Sequence, residues 1–204
     1  MLPDAEVLAV VCEILTSLEI GNFKLKLNHR KFLDAMIELA GCEKRKFKSI
    51  CSSIDKLDKE PWEKVRIELI HQKGLTEDMC DKLHKFVQLQ GKPWELLKKL
   101  KEEQVFGAHK AQTETIEEME LLFTYCDAMG CLDNILFDFS LARGLDYYTG
   151  LIYEAVLTDT DRVGSIAGGG RYDGLVGMFS GKDIPAIGVS IGIERVFSIL
   201  EEKY

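Results

Sequence analysis

The densest group of chemically versatile side chains lies at residues 143–150, Arg-Gly-Leu-Asp-Tyr-Tyr-Thr-Gly. Arginine offers a rigid fork of donors to a carboxylate or a phosphate, and tyrosine offers a flat apolar face with a polar tip. Glycine lets a ligand approach the backbone closely. The octapeptide separates two apolar runs that are typical of strands, residues 135–139 and 151–157. It predicts a pocket for a small, polar, partly aromatic ligand, although a tight hairpin with an Arg143–Asp146 ion pair would use the same residues.

A second candidate stretch is glycine-rich and covers residues 163–174, where three consecutive glycines at 168–170 precede Arg-Tyr-Asp-Gly. Such a run predicts a strand thin enough for a ligand to lie against it. The stretch lacks the Gly-Lys-Ser/Thr ending of a Walker loop, and it does not fit Gly-x-Gly-x-x-Gly followed by a distant acid. The sequence therefore predicts a ligand-facing strand without a standard nucleotide-binding loop.

A third candidate lies near residues 187–192, a predicted strand that runs directly into a helix. Its small residues Gly188, Ser190 and Gly192 alternate, so they share one face of the strand and leave it bare. Arg195 falls in the first turn of the helix, where a cation opposes the helix dipole. This position favours a ligand phosphate near Arg195, although a solvated arginine would also fit.

The elements that position these motifs predict an α+β fold. Pro3 suits the first turn of a helix that runs to about residue 19, and the positive end of the dipole explains Asp4 and Glu6 better than catalysis does. Residues 23–28 alternate strictly between apolar and polar, which predicts a half-buried strand. A second helix is expected over residues 30–41, ending on a glycine.

The middle of the chain, residues 43–110, is predicted to be a bundle of about four short helices, because its apolar residues recur at spacings of three and four. A longer helix is expected over residues 112–129, and no strand is expected between residues 43 and 129. The middle segment has 16 Lys and Arg against 12 Asp and Glu, in a chain with 26 and 34 in total. This balance favours a separate module with a polyanionic partner, although helical surfaces often carry many lysines.

The composition is typical of a soluble globular protein, with 46% hydrophobic and 29% charged residues. No stretch approaches the roughly 18 apolar residues of a membrane span. The six cysteines show no Cys-x-x-Cys spacing, which argues against a zinc site and favours the reduced thiols of the cytosol.

Three segments together resemble the histidyl-tRNA synthetases, which are class II aminoacyl-tRNA synthetases. Residues 141–150, Leu-Ala-Arg-Gly-Leu-Asp-Tyr-Tyr-Thr-Gly, resemble the first histidine-specific signature of that family. Residues 167–176, Ala-Gly-Gly-Gly-Arg-Tyr-Asp-Gly-Leu-Val, resemble the second, and residues 188–195, Gly-Val-Ser-Ile-Gly-Ile-Glu-Arg, resemble motif 3. Ile-Tyr-Glu-Ala-Val at 152–156 is most similar to the eukaryotic cytosolic branch, and the resemblance extends over nearly the whole chain.

The resemblance implies part of the class II antiparallel sheet with flanking helices, plus an inserted all-helical lobe. Residues 1–42 and 111–204 would be two parts of the catalytic domain, and residues 43–110 the insertion near the acceptor arm of the tRNA. Motifs 1 and 2 and the anticodon-binding domain are not matched, so we expect a partial catalytic domain that is inactive alone.

The resemblance also implies a histidine–tRNA ligase that uses ATP and Mg²⁺ to activate histidine and transfers it to tRNA(His). The full-length protein would be a cytoplasmic homodimer. Arg143 would be the catalytic residue, beside the histidine carboxylate and the ATP α-phosphate, and no protein residue is assigned to a metal. Histidine would be bound by Arg143, Tyr147, Tyr148, Tyr172 and Gly169. ATP would be bound by Arg143, Arg195 and Gly192.

The alternative is a non-catalytic relative, either a regulatory subunit or an RNA-binding module. Such relatives commonly lose the signature arginine or the motif 3 arginine. Arg143 and Arg195 are both present in this sequence, which favours the enzyme.

Overall fold

The computed structural model describes residues 1–143, 147–159, 164–182 and 184–203. In these ranges the α-helices are α1 (Leu2–Ser17), α2 (Arg30–Leu39), α3 (Phe47–Ile54), α4 (Trp62–His71), α5 (Glu77–Val87), α6 (Pro93–Glu102), α7 (Glu114–Ala128), α8 (Asp173–Ser180) and α9 (Ile193–Lys203). The strands are β1 (Phe23–His29), β2 (Gln90–Gly91), β3 (Ile135–Asp138), β4 (Leu151–Leu157), β5 (Ala167–Arg171) and β6 (Ile187–Ile191).

The strands form one sheet in the order β2-β3-β1-β4-β5-β6. Only the β1–β3 pair is parallel among these neighbours, and the others are antiparallel. The prediction of an α+β fold with an antiparallel sheet is therefore confirmed. The pairing of β1 with β4 places Lys26 directly opposite Glu154, and that of β4 with β5 places Glu154 opposite Gly168.

The local signals explain most element boundaries. Pro3 lies in the first turn of α1, where its missing N–H leaves no hydrogen bond unmade. The strict alternation in β1 buries Phe23, Leu25 and Leu27 and leaves the lysines between them half-buried. Gly130 follows α7 at φ 71°, a conformation that glycine adopts without strain.

The helical segment between residues 43 and 110 contains the four predicted α-helices, α3 to α6. The expectation that it has no strand is wrong, because Gln90 and Gly91 form β2 and pair with Asp138 and Phe137 of β3. Two residues are too few to show the period-two alternation by which a strand is recognised in a sequence.

Phenylalanine rings join this helical segment to the sheet. Phe32 of α2 stacks on Phe106 with ring centroids 5.0 Å apart, and both rings contact Phe139 at the end of β3. Phe137 of β3 lies 5.1 Å from Phe139, measured between ring centroids. Phe106 belongs to the helical segment, so the segment and the sheet share one hydrophobic core. The domain boundaries at residues 43 and 110 stay a prediction.

One end of the sheet exposes a large apolar surface. β6 is the edge strand, and its neighbours α8 and α9 expose the side chains of Met178, Phe179, Ile193 and Phe197. An open strand edge beside exposed apolar side chains favours association with another surface.

All six cysteines are buried and free. In the described parts of the chain, no helix is both long and apolar enough to cross a membrane.

Candidate functional site

A cavity of about 370 Å³ lies where the loop after β3 meets β5, β6 and the start of α9. Its wall includes Ser165, Gly168 and Ser190. It also contains six of the seven residues that the sequence assigned to a site, namely Arg143, Tyr147, Tyr148, Gly169, Gly192 and Arg195. The three motifs, which are separated along the chain, therefore meet in one place. Their individual roles stay predictions.

Tyr172, the seventh assigned residue, lies outside the lining of this cavity. Its ring centroid is 6.5 Å from that of Tyr147, in an edge-on contact. A Cβ added at Gly188 would lie only 2.6 Å from the Tyr172 hydroxyl, so Tyr172 fills the space beside that glycine. Tyr172 thus contacts Tyr147, a residue of the cavity wall, without lining the cavity itself.

Arg143 is held from two sides at the wall of the cavity. Its Nη1 lies 2.6 Å from Oε2 of Glu154, and the same nitrogen donates a hydrogen bond of 3.0 Å to the hydroxyl of Ser165. The Arg143 side chain is 38% exposed, whereas that of Glu154 is 1% exposed. The alternative pairing of Arg143 with Asp146 concerns a residue outside the described ranges.

Ser165 connects the two assigned arginines. Its hydroxyl accepts from Arg143 and donates to the Ala167 carbonyl at 2.9 Å, and its own carbonyl accepts from Nη1 of Arg195. Two guanidinium groups therefore converge on the two polar groups of one residue at the cavity wall. This arrangement suits a ligand with more than one negative charge.

The buried carboxyl of Glu154 is the main unassigned group beside the cavity. Burial raises its pKa from 4.5 to about 7, and the nearby Arg143 guanidinium opposes that rise. Neither carboxyl oxygen accepts a hydrogen bond of good geometry from the described residues, although Arg143 is close enough for an ion pair. The sequence signal was available, since Glu154 is the one acid in the otherwise uncharged strand β4.

The glycines of β5 serve two purposes. A Cβ at Gly169 would overlap the Gly188 carbonyl oxygen and the Tyr153 hydroxyl, and a Cβ at Gly170 would lie 2.8 Å from the Tyr148 ring. A Cβ at Gly168 would meet Nη1 of Arg143 at an ordinary 3.5 Å. The close packing of β5 against β6 and against the tyrosine side chains thus requires glycine at 169 and 170. Gly168, in contrast, faces the cavity and has room for a Cβ atom.

Tyr148 and Tyr147 supply the aromatic wall, with ring centroids 4.5 Å apart. Burial, and after it the hydrogen bond to Tyr147, raise the pKa of Tyr148 above its ordinary value. Its phenol therefore stays protonated at neutral pH.

Sequence reasoning missed the ion pair of Asp4 with Arg171. Asp4 is fully buried and accepts from Nε of Arg171 at 2.9 Å, while Nη1 of Arg171 donates to Asp173 at 3.0 Å. This pair ties α1 to the end of β5, a role that Asp4 has in addition to its predicted place in the first turn of α1. The missed signal is periodicity, because Asp4 is in phase with the buried face of α1 formed by Leu8 and Val11.

The described residues contain no cluster of three or more His, Cys, Asp or Glu side chains that could hold a metal ion. Mg²⁺ does not require such a cluster, since it usually keeps several waters and binds through one or two carboxylates and substrate phosphates. The two arginines fit such a phosphate ligand.

A larger cavity of about 490 Å³ lies between α2 and the start of α7. It is lined by side chains of both signs, among them Arg30, Asp34, Glu38 and Lys110. None of the assigned site residues reaches it, so the smaller cavity is the better candidate.

The chain is similar to known proteins over nearly its whole length. The family model described as Histidyl-tRNA synthetase matches residues 1–196. The chain is 55% identical over 204 residues to a cytoplasmic histidine–tRNA ligase of Dictyostelium discoideum, covering all of this chain and 42% of that protein. It is 46% identical over 213 residues to the mitochondrial histidine–tRNA ligase of Homo sapiens, again covering all of this chain and 42% of that protein.

Among solved structures, the histidyl-tRNA synthetase from Nostoc sp. PCC 7120 superposes with a TM-score of 0.90 at 34% identity. The match covers 99% of this chain and 47% of that one. The chain thus spans less than half the length of each of these relatives. With one family model over residues 1–196 and three motifs meeting in one cavity, the chain belongs to the histidyl-tRNA synthetase family.

Proposed function

We propose that this chain carries the histidine-binding and part of the ATP-binding surface of a histidine–tRNA ligase. The observation that carries the proposal is the convergence of Arg143 and Arg195 on Ser165, beside a tyrosine wall and a glycine strand. Histidine activation brings the carboxylate of the amino acid and the α-phosphate of ATP together. A site for that reaction needs fixed positive charge and an aromatic pocket, and both are present.

Arg143 is the proposed catalytic residue. A carboxylate and a phosphate repel each other, and a positioned guanidinium offsets this repulsion as the carboxylate oxygen attacks phosphorus. Its fork can contact one oxygen of each anion at once, which the point charge of a lysine cannot do. Arg195, at the start of α9, would bind the adenine ring or the outer phosphates, with Gly192 leaving space for them.

Histidine would lie against Gly169 with its imidazole facing the tyrosines. The protonated Tyr148 phenol would donate to an imidazole nitrogen, and Tyr147, backed by Tyr172, would close the pocket. A site that pairs a buried polar group of the substrate rejects analogues that leave that group unpaired. This pairing would give the selection for histidine.

A bound Mg²⁺ would supply further positive charge next to the phosphate oxygens of ATP. We further propose transfer of histidine to tRNA(His), contact of the segment 43–110 with the acceptor arm, and a homodimer for the whole protein. The cytoplasm is the proposed location, on the similarity to the Dictyostelium discoideum ligase, although the human relative is mitochondrial.

The test is histidine-dependent exchange of pyrophosphate into ATP by the whole protein that contains these residues. Arg143→Ala should lower the exchange rate by on the order of 10²–10³, the usual effect of removing one preorganised donor. Arg143→Lys should not restore the rate. Arg45→Ala is the matched control, because Arg45 is an exposed arginine paired with Glu43 outside the cavity. Near-normal exchange by Arg143→Ala would refute the role of Arg143, and the absence of histidine-dependent exchange in the unaltered protein would refute the proposed function.

A further inference from the structure

Glu154 is a buried acid without a full set of partners. Its side chain is 1% exposed, and the ion-pair contact of 2.6 Å to Arg143 is the closest charge contact of its carboxylate among the described residues. The other charged groups that act on it are Lys26, opposite it on β1, and Asp55 and Asp58 in the turn after α3. Two of these three are acids, so the local charges do not compensate the buried carboxylate.

Lys26 is itself engaged elsewhere. Its ammonium group contacts Asp58 and lies 3.8 Å from Asp138. Glu154 therefore depends on Arg143 for its compensation. Arg143 in turn lies between the buried carboxylate and the open cavity, with its side chain 38% exposed.

An anionic ligand in the cavity would compete with Glu154 for the same guanidinium. Once a carboxylate or a phosphate binds Arg143, two negative groups face one positive group across a few ångströms. Like charges at such a distance disfavour ionisation of one of them. The ligand is exposed to solvent and Glu154 is not, so Glu154 is the group that becomes neutral.

We propose that Glu154 positions Arg143 at the cavity wall and takes up a proton from solvent when an anionic ligand binds Arg143. No other bond forms or breaks. The proton neutralises the carboxylate and leaves the whole guanidinium charge to the ligand. The identity of the anion, the histidine carboxylate or an ATP phosphate, rests on the proposed function.

The affinity for the ligand depends on pH because binding is linked to the proton on Glu154. Without ligand, burial sets the pKa of Glu154 at about 7 against the opposing effect of Arg143. A ligand that shares Arg143 weakens that opposing effect, so the pKa of Glu154 rises further on binding. Burial raises the pKa of Asp55 in the same way, with Arg143 again opposing. Binding then takes up protons, and ligand affinity falls by up to about tenfold per pH unit as the pH rises above 7.

The experiment is calorimetric titration of the whole protein in two buffers that differ in ionisation enthalpy, at pH 7 and pH 8. The probes are histidine, ATP and inorganic pyrophosphate, which lacks both imidazole and adenine. Protons that belong to the probe contribute equally to every protein variant. The difference between the unaltered protein and Glu154→Gln therefore isolates the proton on Glu154.

The expected result is an uptake of up to one proton per site at pH 8 that Glu154→Gln abolishes, with an affinity that no longer falls between pH 7 and pH 8. Glu118→Gln is the matched control and should keep the uptake, because Glu118 pairs with Lys31 away from the cavity. Lys26→Met provides a second test if Glu154→Gln does not fold. Losing Lys26 raises the pKa of Glu154, so the uptake should shrink at pH 7 and persist at pH 8.

The outcomes separate this inference from the proposed function. If histidine and ATP bind, and Glu154→Gln takes up as many protons on binding as the unaltered protein, the inference is overturned and the proposed function stands. Glu154-dependent uptake with pyrophosphate in a protein that does not bind histidine would overturn the function and support the inference. Failure of all three probes to bind would overturn both.

Discussion

Alanine substitutions in the glycine strand β5 give the sharpest test of the packing around the cavity. Neighbouring glycines 168 and 169 have the same backbone environment but opposite faces. An added Cβ at Gly169 would overlap the carbonyl oxygen of Gly188 and the hydroxyl of Tyr153, whereas one at Gly168 would meet its neighbours at 3.5 Å or more. The pair therefore compares a face of β5 that is blocked by neighbouring atoms with a face that has room for a methyl group.

The loss of stability depends on whether the added methyl group clashes with a side chain or with the backbone. Overpacking a core costs about 1–3 kcal/mol when side chains can move aside. At Gly169 the obstacle is the backbone of β6, which is hydrogen-bonded to β5, so the upper end of that range applies. Alanine recovers roughly 0.5–1 kcal/mol over glycine in a strand, which leaves a net loss of about 2 kcal/mol for Gly169→Ala. Gly168→Ala should lie within about 1 kcal/mol of the unaltered protein.

The assay is thermal and urea unfolding of the two variants side by side. For a protein of this size, 1 kcal/mol shifts Tm by about 2–4 °C, so Gly169→Ala should melt about 4–8 °C lower. Gly168→Ala should melt within a few degrees of the unaltered protein. Equal destabilisation of both variants, or a Gly169→Ala protein as stable as the unaltered one, would refute the packing argument.

Other predictions concern the ion pairs, the middle segment and the open edge. Asp4→Asn should lower the free energy of unfolding by about 3 kcal/mol, because it leaves the Arg171 charge half-buried and only partly compensated; a loss below about 1 kcal/mol in urea unfolding would contradict this. The pKa of Glu154 is about 7 in the folded protein against an ordinary 4.5, so its contribution to the free energy of unfolding is complete below pH 4.5. About 3 kcal/mol of that free energy is lost as the pH rises from 4.5 through 7. The free energy of unfolding of Glu154→Gln should lack this pH dependence. The segment 43–110 should bind an acceptor-stem duplex with an affinity that falls steeply with salt, and replacement of its exposed lysines by glutamine should weaken binding, whereas unchanged affinity would refute the contact. The described chain should associate as its concentration rises, since β6 and α9 leave an open apolar face, and a stable monomer in sedimentation at high concentration would count against this.

The sequence predicted the elements well because their signals are local. The alternation in β1 and the run from β6 into α9 appear in the structure at nearly the predicted bounds, and the middle segment contains the four short helices. Strand order could not be predicted in this way. The parallel neighbour of β1 is β3, more than 100 residues away along the chain, and β2 has only two residues. Such pairings depend on the packing of the whole sheet.

The candidate site was predicted to the extent that its residues belong to motifs. Arg143, Tyr148 and Arg195 were chosen as residues of motifs, and they meet in one cavity. The residues that hold these side chains and the strand β5 in place, Glu154 and Asp4, belong to no motif that was assigned to the site. Glu154 is an acid within an apolar strand, and Asp4 lies at the other end of the chain from its partner Arg171. Long-range ion pairs of this kind leave only a weak trace in the sequence, a charge placed on a buried face.

The most direct test of the central claim is a crystal structure of the whole protein with histidine bound. We expect histidine in the cavity of about 370 Å³, with its carboxylate within hydrogen-bond distance of Arg143 and its imidazole facing Tyr148. Histidine in the larger cavity between α2 and α7, or in the smaller cavity with its carboxylate turned away from Arg143, would contradict the proposed binding mode.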